Sequence, residues 1–112
     1  MRRDTLGELE HQVLLAVLRL GEGAYSVSVV EELERSAARE VAQAAVFITL
    51  RRLEGRGLLT SRIEEGGGGE GGARVRRYFR LTEPGLERLR ETRQALTRLW
   101  SGFEQRLDDG SS

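Results

Sequence analysis

The chain has no cysteine. That excludes a disulfide frame, a thiolate nucleophile and a cysteine metal cage. It has one histidine, His11, so a metal ion would find no second imidazole or thiolate, and His11 reads as an ordinary helix-surface or interface residue. The apolar runs are far too short for a bilayer span, and the opening MRRDTLGELEH lacks the apolar core of a signal peptide. A cytoplasmic protein without a membrane partner is expected. No carboxylate pair has a spacing that suggests a shared cleft, so neither catalysis nor a cofactor is expected. There is also no lysine: all 18 basic residues are arginine, whose planar fork donates in pairs where lysine is a point charge.

The net charge is zero, which taken alone argues against a polyanionic partner. The distribution reverses that argument. Residues 39–80 hold nine Arg against five Glu, while the segments on either side are net acidic. Local charge is what meets phosphate. At 112 residues the chain is one small domain with an added helix. Such a chain buries only about 60–65% of its unfolded surface, so a dimer interface would add useful stability.

Thr5-Leu6-Gly7-Glu8 fits a capping box opening a first helix. Along it Leu6, Leu9, Val13, Val17 and Leu20 form one stripe, and Leu14, Leu15 and Leu18 widen it. A helix this apolar should be covered on more than one side. A second helix is expected over about Ser26–Ala38, with Val27, Val30, Leu33 and Ala37 inside and Glu31, Glu32, Glu34 and Arg35 on a solvated face. After a short turn comes a third helix, Ala42–Arg56. Val46, Leu50 and Leu53 form its apolar stripe, Gln43, Thr49, Arg51 and Arg52 its polar side, and Gly55 and Gly57 its end. Helix, turn, helix at this spacing places the latter helix as a reader of DNA.

Two strand-like runs follow, Leu59–Glu64 and Arg74–Leu81, separated by GGGGEGG. Alternation puts Phe79 and Leu81 toward a core with Val75 on the same face, and Arg76, Tyr78 and Arg80 on the other. The glycine-rich tip lacks the Lys and Ser/Thr of a phosphate-binding loop and reads as a flexible wing tip. Thr82-Glu83-Pro84-Gly85 opens a last helix that is expected to reach about Leu107. Leu86, Leu89, Arg93, Leu96, Trp100, Phe103 and Leu107 follow a heptad spacing that only Arg93 interrupts. A second copy of the chain is the simplest cover for that strip, the alternative being that the helix folds back over Leu14, Leu15 and Leu18 of its own chain.

The fold expected is therefore mostly α with a small β-hairpin, a winged helix-turn-helix at 5–82 followed by a long dimerisation helix at 83–108. Phosphate contacts are expected from Arg52, Arg74, Arg76 and Arg77, with Tyr78 beside them, and base contacts from Gln43, Thr49 and Arg51. The dimer interface is expected to use Leu14, Leu18, Leu89, Leu96, Trp100, Phe103 and Leu107. A protein- or ligand-binding module on the same scaffold is the alternative.

LGELEHQVLLAVLRLGEGAYSV (6–27), VFITLRRLEGRGLL (46–59) and RRYFRLTEPGLERL (76–89) together resemble the PadR family of transcriptional regulators, specifically its short members with one C-terminal helix. The resemblance implies a dimeric winged-helix repressor on an inverted repeat. It implies a third helix in the major groove, a wing on the backbone or minor groove, and a dimer made by the last helix. Some members respond to small aromatic molecules, and the placement of Trp100 is similar to a tryptophan near such a site. The chain departs from the family at Phe47, where Tyr is usual, and at Ile48, where Thr is frequent, while Ala42 and Ala45 leave the reading helix short of polar side chains at its start.

Overall fold

A computed structural model of the protein describes residues 6–66 and 74–108. Three helices and a two-stranded hairpin close around one apolar core. They are α1 (Glu8–Leu20), a 3-10 turn (Gly21–Gly23), α2 (Ser26–Ala37), α3 (Gln43–Gly55), β1 (Leu59–Gly66) and β2 (Arg74–Leu81), after which come α4 (Glu83–Trp100) and a short α5 (Glu104–Asp108). The architecture is mostly α with one antiparallel hairpin, as expected. The strand-like run proposed for the first strand extends to Gly66, and Leu59 pairs with Leu81, Ser61 with Phe79 and Ile63 with Arg77. Thr5, the glycine-rich tip, and the side chains of Arg74 and Leu107 lie outside the described residues.

The start of α1 differs from the expected box. Gly7 is its cap, and the Gly7 amide donates to the Glu10 carboxylate at 2.9 Å. α1 is the central strut, touching α2, α3, β2 and α4, so Val13, Leu14, Ala16 and Val17 are all buried in the chain's own core. Leu14 is therefore no interface residue. Leu15 and Leu18, on the remaining side, are exposed. The core is completed by Ala24, Val29, Leu33, Val46, Leu50, Leu53, Leu58, Leu59, Phe79 and Leu89.

In α2 the inward positions are Val29, Glu32 and Leu33, whereas Ala37 is exposed and Val27 and Val30 are only partly covered. Glu32 is thus no solvated residue: it is 5% exposed. Arg19 of α1 donates to one of its oxygens at 2.8 Å, Arg35 to the other at 2.7 Å, and the Ser36 hydroxyl donates as well. These donors, Ser36 first and then Arg35 and Arg19, hold its carboxyl well below the usual range, at about 2. The group fastens α2 to α1 as an anion. The αL residue Ala38 (φ 51°) then ends α2 and turns the chain toward α3.

The hairpin base, the end of α3 and the start of α4 meet at one point. Gly57 (φ 81°) lets α3 close by donating to the Glu54 carbonyl at 2.9 Å. The Thr82 hydroxyl donates to the Gly57 carbonyl at 2.7 Å and accepts from the Gly85 amide at 3.0 Å. Thr82 caps α4 as expected. Gly85 lies so close to Leu58 that a Cβ there would fall 2.1 Å from the Leu58 carbonyl oxygen.

Beyond Leu89, α4 projects from the body, and the radius of gyration is 16.6 Å against about 13 Å for a compact chain of this length. The last helix is not continuous to Leu107. It breaks at Ser101–Phe103, where Gly102 has φ 87°, and the short α5 follows. A left-handed glycine stops the α-helical ladder whatever the apolar spacing around it. Leu89 is buried against the chain's own core, so it too is withdrawn from the expected interface, while Leu96, Leu99, Trp100 and Phe103 are exposed. No helix among the described residues is long and apolar enough to cross a membrane.

Candidate nucleic-acid interface

α3 lies beside the hairpin, and the two edge a groove of about 1070 Å³ whose lining includes Tyr25, Ser26, Gln43, Phe47, Ile63 and Arg76. With 3.6 residues per turn, burying Val46, Leu50 and Leu53 turns Ala44, Ile48 and Arg51 straight outward. Thr49 falls on the inner side. It is 4% exposed, its hydroxyl donates to the Ala45 carbonyl at 2.9 Å, and it cannot meet a base. That removes one expected reader. Satisfying a hydroxyl on the carbonyl four residues back is what lets a threonine sit among apolar neighbours.

The other expected readers lie at the rim. The Gln43 amide donates to the Ser26 hydroxyl at 3.2 Å, joining the first turns of α2 and α3. Arg51 is exposed, pairs with Glu54 at 3.1 Å and lies 5.9 Å from the Phe47 ring centre. Arg52 reaches back to Glu10 of α1 at 3.9 Å and is otherwise in solvent. Ala42 gives α3 no side-chain cap. The first-turn amides and the positive end of the helix dipole therefore point into the open, a ready seat for an anionic oxygen.

The two faces of the hairpin are held differently. On one, the Arg77 guanidinium donates to Ser61 at 2.9 Å and Ser61 donates to Glu54 at 2.6 Å, tying the wing to α3. On the other, Tyr78 meets Tyr25 edge to face at 5.4 Å, Arg76 lies 4.6 Å over the Tyr25 ring and Arg62 lies 4.9 Å over the Tyr78 ring. Tyr78 is thus half-buried in a stack that fixes the wing against the start of α2. The hydrogen bond between Arg76 and the Tyr78 hydroxyl raises the arginine pKa further.

Phe79 and Leu81 face the core as alternation predicted, and Val75, beyond the core's edge on the same side, is exposed. Among the described residues neither Arg76 nor Arg77 pairs with a carboxylate, unlike Arg51, Arg52 and Arg62. Their charge is the least cancelled part of the groove. Sequence reasoning missed Tyr25 and Arg62 as parts of this site. The register that sets Arg62 opposite Tyr78 would have found the latter.

A second groove, of about 610 Å³, runs between α1 and α4 and is lined mainly by Leu15, Leu18, Leu96 and Trp100, with His11 and Arg93 at its sides. Burial pulls the His11 pKa below its ordinary value. The described residues contain no cluster of His, Cys, Asp or Glu able to hold a metal.

The family model described as transcriptional regulator, PadR-like family, matches residues 14–91. Among solved structures the chain is similar to a PadR family transcriptional regulator from Eggerthella lenta, with 31% identity over 89% of this chain and 86% of that one and a TM-score of 0.66. It is also similar in fold to a PadR family regulator from Clostridium difficile, with 16% identity over 95% of this chain and all of that one, TM-score 0.67. Bacillus subtilis PadR, solved in complex with operator DNA, is similar at 19% identity over 74% of this chain and 45% of that longer one, TM-score 0.60. No curated protein matches the chain.

Proposed function

The chain belongs to the PadR-like family of transcriptional regulators, and from that premise we propose that it acts as a homodimer that binds an inverted-repeat operator and represses transcription. In this reading residues 5–82 hold the DNA and residues 83–108 hold the partner copy. α3 enters the major groove with Gln43 and Arg51 at its rim. Arg52, Arg74, Arg76 and Arg77 meet phosphates, and the wing keeps its angle through the Tyr25–Tyr78 stack. The observation that carries the reading is the charge on Arg76 and Arg77, fixed beside α3 by hydroxyls and rings and cancelled by no described carboxylate.

The exposed strip of Leu96, Trp100 and Phe103 supports the homodimer, since an apolar strip of this extent is a poor surface to leave in water. The groove at Trp100 supports a small aromatic effector that releases the DNA. Apolar walls with a cation at the edge suit a planar ring bearing one polar group.

The test is a salt series of binding to the promoter DNA beside this protein's own gene, against random duplex of equal length. The expected outcome is a preference of about a hundredfold or more for the promoter piece and a log–log salt slope of about −5 to −7 per dimer. Replacing Arg76 and Arg77 together by Ala should weaken binding to all sequences alike and flatten the slope by about 3 to 4. Weak, salt-insensitive binding to both duplexes would sink the reading. It would favour a winged-helix module that binds a protein or ligand, the reading that the apolar outward row of α3 also suits.

A further inference from the structure

We propose that Ile48, flanked by Ala44 and Phe47, reads thymine by burying its 5-methyl group, so that operator half-sites are chosen chiefly by apolar contact. The proposal rests on α3 entering the major groove, as argued above. It starts from what the outward side of α3 can no longer do. Thr49 faces the core and its hydroxyl is spent on Ala45. Gln43 is joined to Ser26, and Arg51 is turned along the helix toward Glu54 and Phe47. The side chains left facing straight out over the first two turns are Ala44 and Ile48, with Ala45 and Phe47 exposed on either side of them. None of these four can donate or accept a hydrogen bond.

Ile48 is 56% exposed, while Phe47 is held edge-on to Phe79 at 6.4 Å. A β-branched side chain on a helix has one strongly preferred rotamer, so Ile48 presents a stiff apolar knob. In unmodified DNA the one apolar group on the major-groove edge of a base pair is the thymine methyl, and the remaining positions there are donors and acceptors that an apolar side chain would strip of water without replacing. A knob of this kind therefore selects thymine twice over. It gains at the methyl, and it loses at guanine, adenine and cytosine edges. The small Ala44 and Ala45 let the helix backbone come close enough for that contact. Arg52 at the side and Arg76 and Arg77 on the wing supply the sequence-independent hold.

Burying one methyl against an apolar side chain is worth a factor of about four in affinity, hence about fifteenfold for one methyl in each of two half-sites. The experiment starts by selecting a preferred duplex from a random-sequence pool with the full-length protein. That duplex is then remade with deoxyuridine, which keeps every hydrogen-bonding group and lacks only the methyl. The expected result is a loss of about fifteenfold, traced by single replacements to one symmetric pair of positions. Ile48→Ala should bind the thymine and uracil forms equally, with an unchanged melting temperature.

Equal binding of the two forms by the unaltered protein, with the selected duplex still preferred over random DNA, would overturn the proposal and leave DNA reading intact. So would an undiminished uracil penalty in Ile48→Ala, since the effect would then come from duplex shape. If no sequence emerges from the selection and binding is indifferent to salt, the DNA-binding reading itself fails and this proposal with it.

Discussion

The two halves of α4 carry the same apolar spacing and meet opposite conditions. In the first half Thr82 caps the helix, Gly85 sits against the Leu58 backbone and Leu89 is buried in the core. In the second half Leu96 and Trp100 continue the spacing, with Phe103 just past the helix end, and all three stay exposed, while Leu99 beside them is 75% exposed. Arg93 marks the change. The difference teaches that a heptad pattern declares a face to be covered but says nothing about by whom. In this chain one helix is part of the core at its start and carries an exposed apolar strip at its end.

The division can be broken most forcefully at Gly85. A methyl group 2.1 Å from the Leu58 carbonyl oxygen cannot be relieved by a rotamer change, because both sides of the contact are backbone. Gly85→Ala should cost about 3 kcal/mol and lower the melting temperature by roughly 10–20 °C, as read by thermal unfolding at a fixed protein concentration. A melting temperature within a degree or two of the parent would mean that the first half is not the anchor described here.

The second half is challenged with charge. Leu96→Glu combined with Trp100→Glu should leave the far-ultraviolet circular dichroism unchanged. Placing carboxylates in an otherwise apolar contact should weaken self-association by about a hundredfold or more, measured by sedimentation equilibrium. An unaltered association constant would remove this strip from the proposed dimer interface.

The first half of α4 was legible in the sequence, since Thr82-x-x-Gly85 carries its capping chemistry in four letters. The second half was legible as a surface and not as a shape. Ser101-Gly102 falls inside a spacing that runs on from Trp100 to Phe103, so the break was masked by the pattern that suggested continuity. Glu32 shows the same limit in another form. Its position three residues after Val29 and beside Leu33 places it inward, but the arginine that makes burial tolerable, Arg19, comes from a different helix and is brought near only by packing.

The outward side of α3 and the hairpin was legible only in part, for a related reason. Which residues are polar can be read from the letters, whereas the rotation of α3 is set by neighbours. A rotation that buries Val46, Leu50 and Leu53 takes Thr49 inward and Ile48 outward. Arg76 escaped this error because the alternation of a strand leaves only two choices and Phe79 fixed which one applied, whereas Arg77 shares the Phe79 face.

Thr82 offers the finest test of the division, because its hydroxyl serves the anchored half alone. It accepts from the Gly85 amide, which is one of the unpaired donors at the helix start, and it donates to the Gly57 carbonyl at the end of α3. Thr82→Ala leaves both groups to water where water can reach them, so the loss should be that of one cap, about 1 kcal/mol. Thr82→Ser, which keeps the hydroxyl, should recover most of it. The loss should appear in unfolding at every protein concentration and leave the association constant of the folded chains alone. The two halves of α4 share backbone hydrogen bonds only through the turn around Arg93, and a loosened first turn is not transmitted that far along a helix whose later turns remain paired. If Thr82→Ala instead weakened self-association while sparing the melting temperature at high concentration, the first turn would have to lie at the partner. The boundary between core and interface would then fall before Gly85 rather than after Leu89.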